Sequence, residues 1–314
     1  PSLAGLPPRR HLVHGPTPLV KARARDELLG VDLWIKRDDV TGGAEAGNKL
    51  RKLEFLVADA LAQGADTLLT CGGLQSNHAR ATALVAAQHG LGCALFLRVS
   101  DELADDPSVT ADRRKVPVTG NVLLDRLVGA SIHFISRAAY AERNAVLTEA
   151  AARLRIEGKR PYVIPEGGSN GIGSFGYVEA LREVRGQLEA GLAGGTPFEV
   201  VAHACGSGGT AAGVALGAAR YEVAPLVMPF AVCDDAAYFE ATIDRIVAEC
   251  RGRAPALPAP VTVRVQDFAK GPAYGVMSDE QKQFLVTAAR RSGLLFDPVY
   301  TGKALFGLQR AVQE

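Results

Sequence analysis

The sequence predicts an α/β protein whose parallel sheets are covered by helices on both faces. Short apolar runs of β type alternate with longer segments of helical period. The runs are apolar at nearly every position, as in strands buried on both faces, and their number makes two sheets the expectation.

In chain order, "TGGAEAGNKLRKLEF" (41–55) opens a helix after a glycine turn at Gly47, with Asn48 as its cap. Leu53, Leu56, Val57 and Ala60 form its apolar stripe. "TLLTC" (67–71) is a strand leading into a helix through "SNHARATALVAAQHG", and "CALFLRV" (93–99) is the next strand. The stretch 100–121 is polar, holds two prolines and lacks periodicity, which predicts a long surface excursion. Further strands are expected at "SIHFI" (131–135), "YVIP" (162–165), "EVVAHA" (199–204), "PLVMPFAV" (225–232) and "VTVRV" (261–265). Between and after them, "AERNAVLTEAAARLR", "FGYVEALREVRGQLEA", "FEATIDRIVAEC" and "SDEQKQFLVTAARR" have helical period, and "GKALFGLQRAVQE" reads as a last helix.

The 314 residues are 47% hydrophobic and carry a formal net charge of +1, ample for a large core. Balanced charge argues against nucleic-acid and membrane-surface partners. No apolar run reaches the ~18 residues of a membrane span, and "PSLAGLPPRRHLVHG" lacks a signal-peptide core. Cys71, Cys93, Cys205, Cys233 and Cys250 are scattered without metal-ligand spacing, so no metal site is expected. They read as reduced thiols, and the expected location is cytoplasmic.

Three loops at strand ends are chemically unusual, and ligands of open α/β sheets sit beyond the carboxyl ends of strands. In "CGGLQSNHAR" (71–80), Ser76 or Asn77 caps a helix, which accounts for one of the polar residues Gln75, Ser76, Asn77 and His78. In "HACGSGGTAAG" (203–213), an apolar strand runs into glycines and then Thr210 at a helix start. Glycines there let main-chain N–H groups converge on an anion, and the helix dipole adds to the attraction. Gly206-x-Gly208-x-x-Ala211 also fits the loose dinucleotide fingerprint, with Asp234 or Asp235 as ribose partner. The third loop, "PEGGSNGIGSFGY" (165–177), has no charge pattern that assigns it a ligand. His11, His14, His89, His133 and His203 occur singly and read as structural, and a turn or cap role suits Asp38 and Asp39.

Lys49, Arg51 and Lys52 occupy the first turn of their helix, where each cation is disfavoured by roughly 0.3–1 kcal/mol. An anionic ligand near this end reverses that cost. Cationic neighbours also lower a lysine's pKa, which suits a Schiff-base amine. Pyridoxal 5′-phosphate meets both demands, with an aldehyde for Lys49 and a phosphate for the 206–210 loop.

The blocks "IKRDDVTGG…AGNKLRKLEF", "CGGLQSNHAR", "CGSGGTAAG" and "GPAYG…LLFDPVYTGKALFGL" resemble the 1-aminocyclopropane-1-carboxylate (ACC) deaminase and D-cysteine desulfhydrase family, from about residue 8 onward. The resemblance implies a pyridoxal-phosphate enzyme of fold type II, the tryptophan-synthase-β fold. It implies a large domain of residues 1–50 plus 166–314 and a small αβ domain of 51–165, with the cofactor between them, in a homodimer. Lys49 would be the Schiff-base lysine and the proton shuttle at Cα. Lys52, Gly206, Ser207, Gly208, Gly209 and Thr210 would bind the phosphate, and Asn77 the pyridine 3′-oxygen. Ser76 and His78 would hold or work on the substrate near its carboxylate, with Ser76 an alternative base. Tyr274 and Tyr300 would line the substrate side.

Thr301, expected near the pyridine nitrogen, stands where ACC deaminases of the family carry Glu, and QSNH replaces their QSNQ. Both favour β-elimination from D-cysteine or a similar substrate, giving pyruvate, ammonia and sulfide. The alternatives are ACC deamination to 2-oxobutyrate and ammonia, cysteate desulfonation, or another β-substitution or racemisation. Others are a pyridoxal-phosphate binder without activity and, from a different class, an NAD-dependent oxidoreductase. Ala46 replaces a usual glycine, "GVMSDEQ" lacks the usual Pro-Asn, and 100–121 is longer than the resemblance leads one to expect. Arg51 is expected in a surface or interdomain ion pair.

Overall fold

A computed structural model describes residues 5–22, 29–105 and 115–313. The chain forms two compact units, one of Pro1–Pro7, Pro16–Arg37 and Ser174–Glu314, the other of Pro8–Gly15 and Asp38–Gly173.

The first unit begins with an antiparallel pair absent from the expected strands, Leu19–Lys21 (β1) and Trp34–Lys36 (β2). Its anchor is distant in sequence: the Lys36 ammonium donates to Thr17 O at 2.7 Å and pairs with Glu183 at 2.9 Å.

The second unit is a parallel sheet in the order β5-β4-β3-β6. It runs Asn48–Ala62 (α1), Thr67–Gly73 (β3), Asn77–Gln88 (α2), Gly92–Arg98 (β4), Gly120–Leu127 (α3), Ser131–Ile135 (β5), Arg137–Ala141 (α4), Arg143–Ile156 (α5) and Pro161–Val163 (β6). Alternate strand residues face opposite sides. Leu69, Cys71, Ala94 and Phe96 pack on Leu147, Ala150 and Ala151 of α5, while Leu95, Leu97 and Phe134 pack on Ala79, Ala83 and Val122 of α2 and α3. Both faces are therefore dry. Ala104 and Val116 reach into the second of these clusters, so the ends of the 100–121 excursion are rooted in core, and its residues 106–114 lie outside the described residues.

The first unit resumes with Phe175–Glu189 (α6), Val200–Cys205 (β7), Gly209–Tyr221 (α7), Leu226–Ala231 (β8), Ala236–Arg253 (α8), Thr262–Val263 (β9), Asp279–Ser292 (α9) and Thr301–Gln313 (α10). Strands β7-β8-β9 are parallel. Met228 and Phe230 pack on Ala304 and Phe306 of α10. Helices α6 and α7 cross closely because α7 has glycine at the contact: a Cβ on Gly213 would run into the Ser174 carbonyl, and one on Gly217 would sit 2.8 Å from Leu181 Cβ.

The expected domain boundary at 50/51 falls inside α1, whose residues 50–57 are all buried, Arg51, Lys52 and Glu54 included. Segments on either side are tied to it. Glu54 accepts from Arg9 Nη1 at 3.0 Å and from the amides of Leu12 and Val13 at 2.9 and 3.1 Å. Arg51 binds Asp38, and Lys52 binds the 167–169 turn. Residues 8–15, 38–50 and 166–173 consequently pack with the second unit.

Asp125 of α3 is 1% exposed, and neither carboxylate oxygen has a hydrogen-bond partner among the described residues. Burial pushes its carboxyl up to about 7, against the opposing pull of Arg80. Because the folded pKa lies above the unfolded value, the unfolded chain sheds this proton first, and stability falls as pH rises from about 4 to 7. Asp125→Asn is expected to remove that loss. Urea midpoints at pH 5 and pH 8 check it: the native protein should lose about 2–3 kcal/mol more than the variant, because the fall from pH 5 to 7 runs at ~1.4 kcal/mol per pH unit.

Candidate active site

The turn before Lys49 is built by a buried threonine. Gly47, at φ 124°, is the last residue before α1, and no side chain caps the helix there. Thr41, fully buried, accepts from Gly47 N at 2.8 Å and donates to Gly47 O at 3.1 Å. Asn48 opens the helix instead of capping it, which corrects the expected cap: the two Thr41 bonds already set the turn. Arg80 Nη2 donates to Ala46 O at 2.6 Å, so the block that carries QSNH also restrains the approach to Lys49.

The cations of this first turn have distinct partners. Arg51 is 1% exposed and holds Asp38 through two bonds, Nε to Oδ2 at 2.7 Å and Nη2 to Oδ1 at 2.8 Å. The expected surface or interdomain pair is thus a buried, bidentate pair inside one unit. Lys52 is fully buried, and its ammonium donates to Gly167 O and Ser169 Oγ, both at 3.1 Å. The 165–177 loop, to which no ligand was assigned, therefore holds this lysine.

Ser76 is the cap of α2, its Oγ accepting from Ala79 N at 3.1 Å. Asn77 Oδ1 accepts from Asn121 Nδ2 at 3.1 Å, so the amide's donor end is turned away from Asn121. Gln75 accepts from Asn121 N at 2.8 Å and donates to Thr119 O at 3.1 Å, docking the end of the 100–121 stretch on this loop. His78 is buried beneath it. Thr70 Oγ1 donates its one hydrogen to Ile164 O at 2.9 Å, so it accepts from His78 Nε2–H at 2.9 Å. That assigns the tautomer: Nδ1 carries a lone pair, buried and without a partner among the described residues. Burial first, then Lys49 and Lys52, drive its pKa well down. A neutral imidazole in this tautomer has no N–H on Nδ1 to offer a substrate carboxylate.

In the first unit, β7 ends at Cys205 and α7 starts at Gly209. Gly208 turns the chain at φ 79°, and a Cβ there would sit 2.8 Å from Thr242 Cγ2. A Cβ on Gly206 would sit 3.2 Å from Tyr300 Cε1. Ser207 is the one side chain between Gly206 and Gly209, and the loop leads into the first turn of a helix, whose amides lack the usual carbonyl one turn before them. Tyr300 and Tyr274 share a hydrogen bond of 2.6 Å, with rings at 5.9 Å and 73°. Burial raises the Tyr300 phenol, and Tyr274 raises it further. Thr301 is exposed. Its hydroxyl donates to Asp297 Oδ2 at 2.5 Å and accepts from Asp297 N at 3.0 Å.

The structure thus groups Lys49, Lys52, Ser76, Asn77 and His78 in one unit, and Gly206, Ser207, Gly208, Gly209, Thr210, Tyr274, Tyr300 and Thr301 in the other. These residues fit pyridoxal phosphate. A Cβ has no room at Gly208 and would be tight at Gly206, the helix amides suit a phosphate, and the charges of Lys49 and Lys52 act on an orphaned imidazole lone pair. Thr41, Thr70, Arg80, Asn121, Ser169 and Asp297 were missed, because each acts through a contact that no local spacing announces.

The model of the family "Pyridoxal-phosphate dependent enzyme" matches residues 11–314. The chain belongs to this family. This pyridoxal-phosphate enzyme is 42% identical over 300 residues, 95% of its length and 71% of the relative's, to a mitochondrial bifunctional D-cysteine desulfhydrase/1-aminocyclopropane-1-carboxylate deaminase of Arabidopsis thaliana. A crystal structure of an ACC deaminase homologue aligns with a TM-score of 0.81 at 32% identity, covering 98% of the chain and 87% of the homologue. A hydrogen sulfide-producing enzyme from Fusobacterium nucleatum shares the fold at 14% identity, with a TM-score of 0.63 over 96% of the chain and 91% of that enzyme. The resemblance in the sequence is therefore upheld, as are the fold type II architecture, the lyase chemistry and the cofactor. The NAD reading falls, and Asp235, its candidate ribose partner, instead caps α8 by accepting from Tyr238 N at 2.9 Å. Among the described residues no helix is long and apolar enough to cross a membrane.

Proposed function

We propose that this enzyme catalyses β-elimination from D-cysteine or a cysteine-like amino acid, releasing pyruvate, ammonia and sulfide. The supporting observation is Thr301: its one hydroxyl hydrogen is committed to Asp297, and no carboxylate side chain stands at that position.

Bound pyridoxal phosphate supplies an aldehyde that condenses with amines and a ring that takes up electron density released at Cα. Lys49 would hold the group through its amine and would serve as the base for the substrate's Cα proton. Ser76 is the alternative base. Gly206, Ser207, Gly208, Gly209 and Thr210 bind the phosphate through main-chain N–H groups and the start of α7, and Lys52 adds a second positive charge. Asn77 would offer its amide N–H to the 3′-oxygen. Ser76 and Asn77 receive the substrate carboxylate, while His78 accepts a hydrogen bond from beneath. Tyr274 and Tyr300 close the substrate side, and the thiol leaves from Cβ. Thr301, without a negative charge of its own, would support a weaker electron sink at the pyridine nitrogen than Glu would, which suits a good leaving group better than ring opening.

A second reading, ACC deamination, is favoured by the Arabidopsis relative, which is named for both activities. Pyruvate, sulfide and 2-oxobutyrate release from D-cysteine, L-cysteine, cysteate and ACC separates the readings. The proposal expects D-cysteine to give the highest kcat/KM, with pyruvate and sulfide in equal amounts. Dominant 2-oxobutyrate from ACC would favour the second reading, and no turnover of any would favour a binder without activity. As part of the same proposal, the enzyme works as a homodimer in the cytoplasm, a reducing compartment suited to its five free thiols.

A further inference from the structure

Lys303 is fully buried in α10, one turn after Tyr300, and nothing in the proposed chemistry uses it. Its ammonium donates to three main-chain carbonyls, Lys270 O at 2.5 Å, Ala273 O at 2.9 Å and Val232 O at 3.4 Å. Burial lowers its pKa, and nearby Cys233 opposes that shift. The geometry still requires the charged form: three acceptors use three N–H bonds, and a neutral amine has two.

A compact monovalent charge ringed by carbonyl oxygens is the arrangement by which proteins bind potassium or ammonium ions. Here the ion is attached to the chain. The three carbonyls come from two loops, one carrying Tyr274 and the other packed against the Gly206 loop. Ala273 precedes Tyr274 in a tight turn in which Val276 N donates to Ala273 O at 3.0 Å. Val232 follows β8, its amide donates to Cys205 O at 3.0 Å, and its side chain lies beside Gly206. Gly271, at φ 72°, lets the loop fold over the ammonium: a Cβ there would meet Gln281 Oε1 and Val276 O, each at 2.8 Å.

We propose that the carbonyls of Val232, Lys270 and Ala273 form a monovalent-cation site that Lys303 fills as a tethered cation. By filling it, Lys303 positions the Tyr274 turn against Tyr300 and the Gly206 loop. Lys303 is a positioning residue, and the site takes a free potassium ion once the side chain is removed. The inference rests on the cage and not on the identity of the substrate.

The test compares the pyridoxal-phosphate-loaded native enzyme, Lys303→Ala and Lys303→Met in potassium chloride and in tetramethylammonium chloride of equal ionic strength. Tetramethylammonium is too bulky for the cage. Its thermal midpoint is the readout that does not depend on substrate, and pyruvate release from D-cysteine is the second. The native enzyme should be indifferent to the cation. Lys303→Ala should melt roughly 5–10 °C lower in tetramethylammonium, because buried carbonyls lose their donors. Potassium should restore most of that shift, saturably, and raise turnover together with it. Lys303→Met, which fills the space without charge, should be impaired in both salts. A Lys303→Ala protein that folds only in potassium supports the proposal equally. Equal loss in both salts, failure to fold in either, or a Lys303→Met enzyme equal to the native would overturn it. Because the midpoint needs no substrate, failure of the D-cysteine reading leaves this outcome readable.

Discussion

Lys49→Ala should lower turnover of the best substrate by about 10³-fold or more, since one side chain supplies both the covalent attachment and the proton transfer. The yellow Schiff-base absorbance of the purified enzyme should vanish with it. Lys49→Arg keeps the positive charge next to His78 but has no amine that forms a Schiff base, so it separates the two roles. An equal loss in both variants assigns the effect to covalent chemistry, whereas substantial activity in Lys49→Arg would assign it to charge. Neither variant should unfold the protein, because the helix that carries the lysine is held by Arg51, Lys52, Glu54 and Thr41.

Arg51→Met should destabilise the enzyme by about 3–5 kcal/mol, as expected when one member of a buried ion pair is removed and the other remains. Asp38 would be left with its carboxylate largely out of water, its side chain 15% exposed. A thermal midpoint roughly 10 °C lower than the native value measures the effect. The double variant Asp38→Asn, Arg51→Met should recover much of the loss, because the stranded charge goes with its partner. A double variant as unstable as the single one would show that the arginine acts through packing of its stem.

Much of the fold was legible because buried parallel strands need apolar residues at nearly every position. Ser131–Ile135 forms at its expected bounds, and β3, β4, β7 and β8 differ from expectation by a residue or two at their ends. The pair β1 and β2 was invisible, since three-residue strands carry no period and their anchor, Lys36 on Glu183, lies far away in the sequence. Strand β9 is shorter than "VTVRV" suggested. Only Thr262 and Val263 pair regularly with β8, while the Arg264 and Gln266 amides continue as single bonds to Val227 O and Pro229 O.

The candidate site divides in the same way. Lys49 and the glycine loop stood out because each breaks a local rule, a cation at a helix start or glycines where a helix should begin. The residues that hold them break none. Thr70 sits in an ordinary strand and reveals itself only through His78 and Ile164. Asp297 reads as a turn residue until Thr301 and the amides of Val299 and Tyr300 are seen to bind it. Lys303 looks like the polar side of an amphipathic helix, yet it is among the most buried side chains of the protein.

The central claim is that Lys49 holds the cofactor. Borohydride reduction of the native enzyme fixes the Schiff base as a stable secondary amine, and digestion followed by mass spectrometry locates it. The phosphopyridoxyl group should appear on the peptide containing Lys49, with one group per chain, and should be absent when a competing amino-acid substrate is present during reduction. A label on Lys52, Lys303 or any other lysine, or an unlabelled protein after loading with pyridoxal phosphate, would contradict the account.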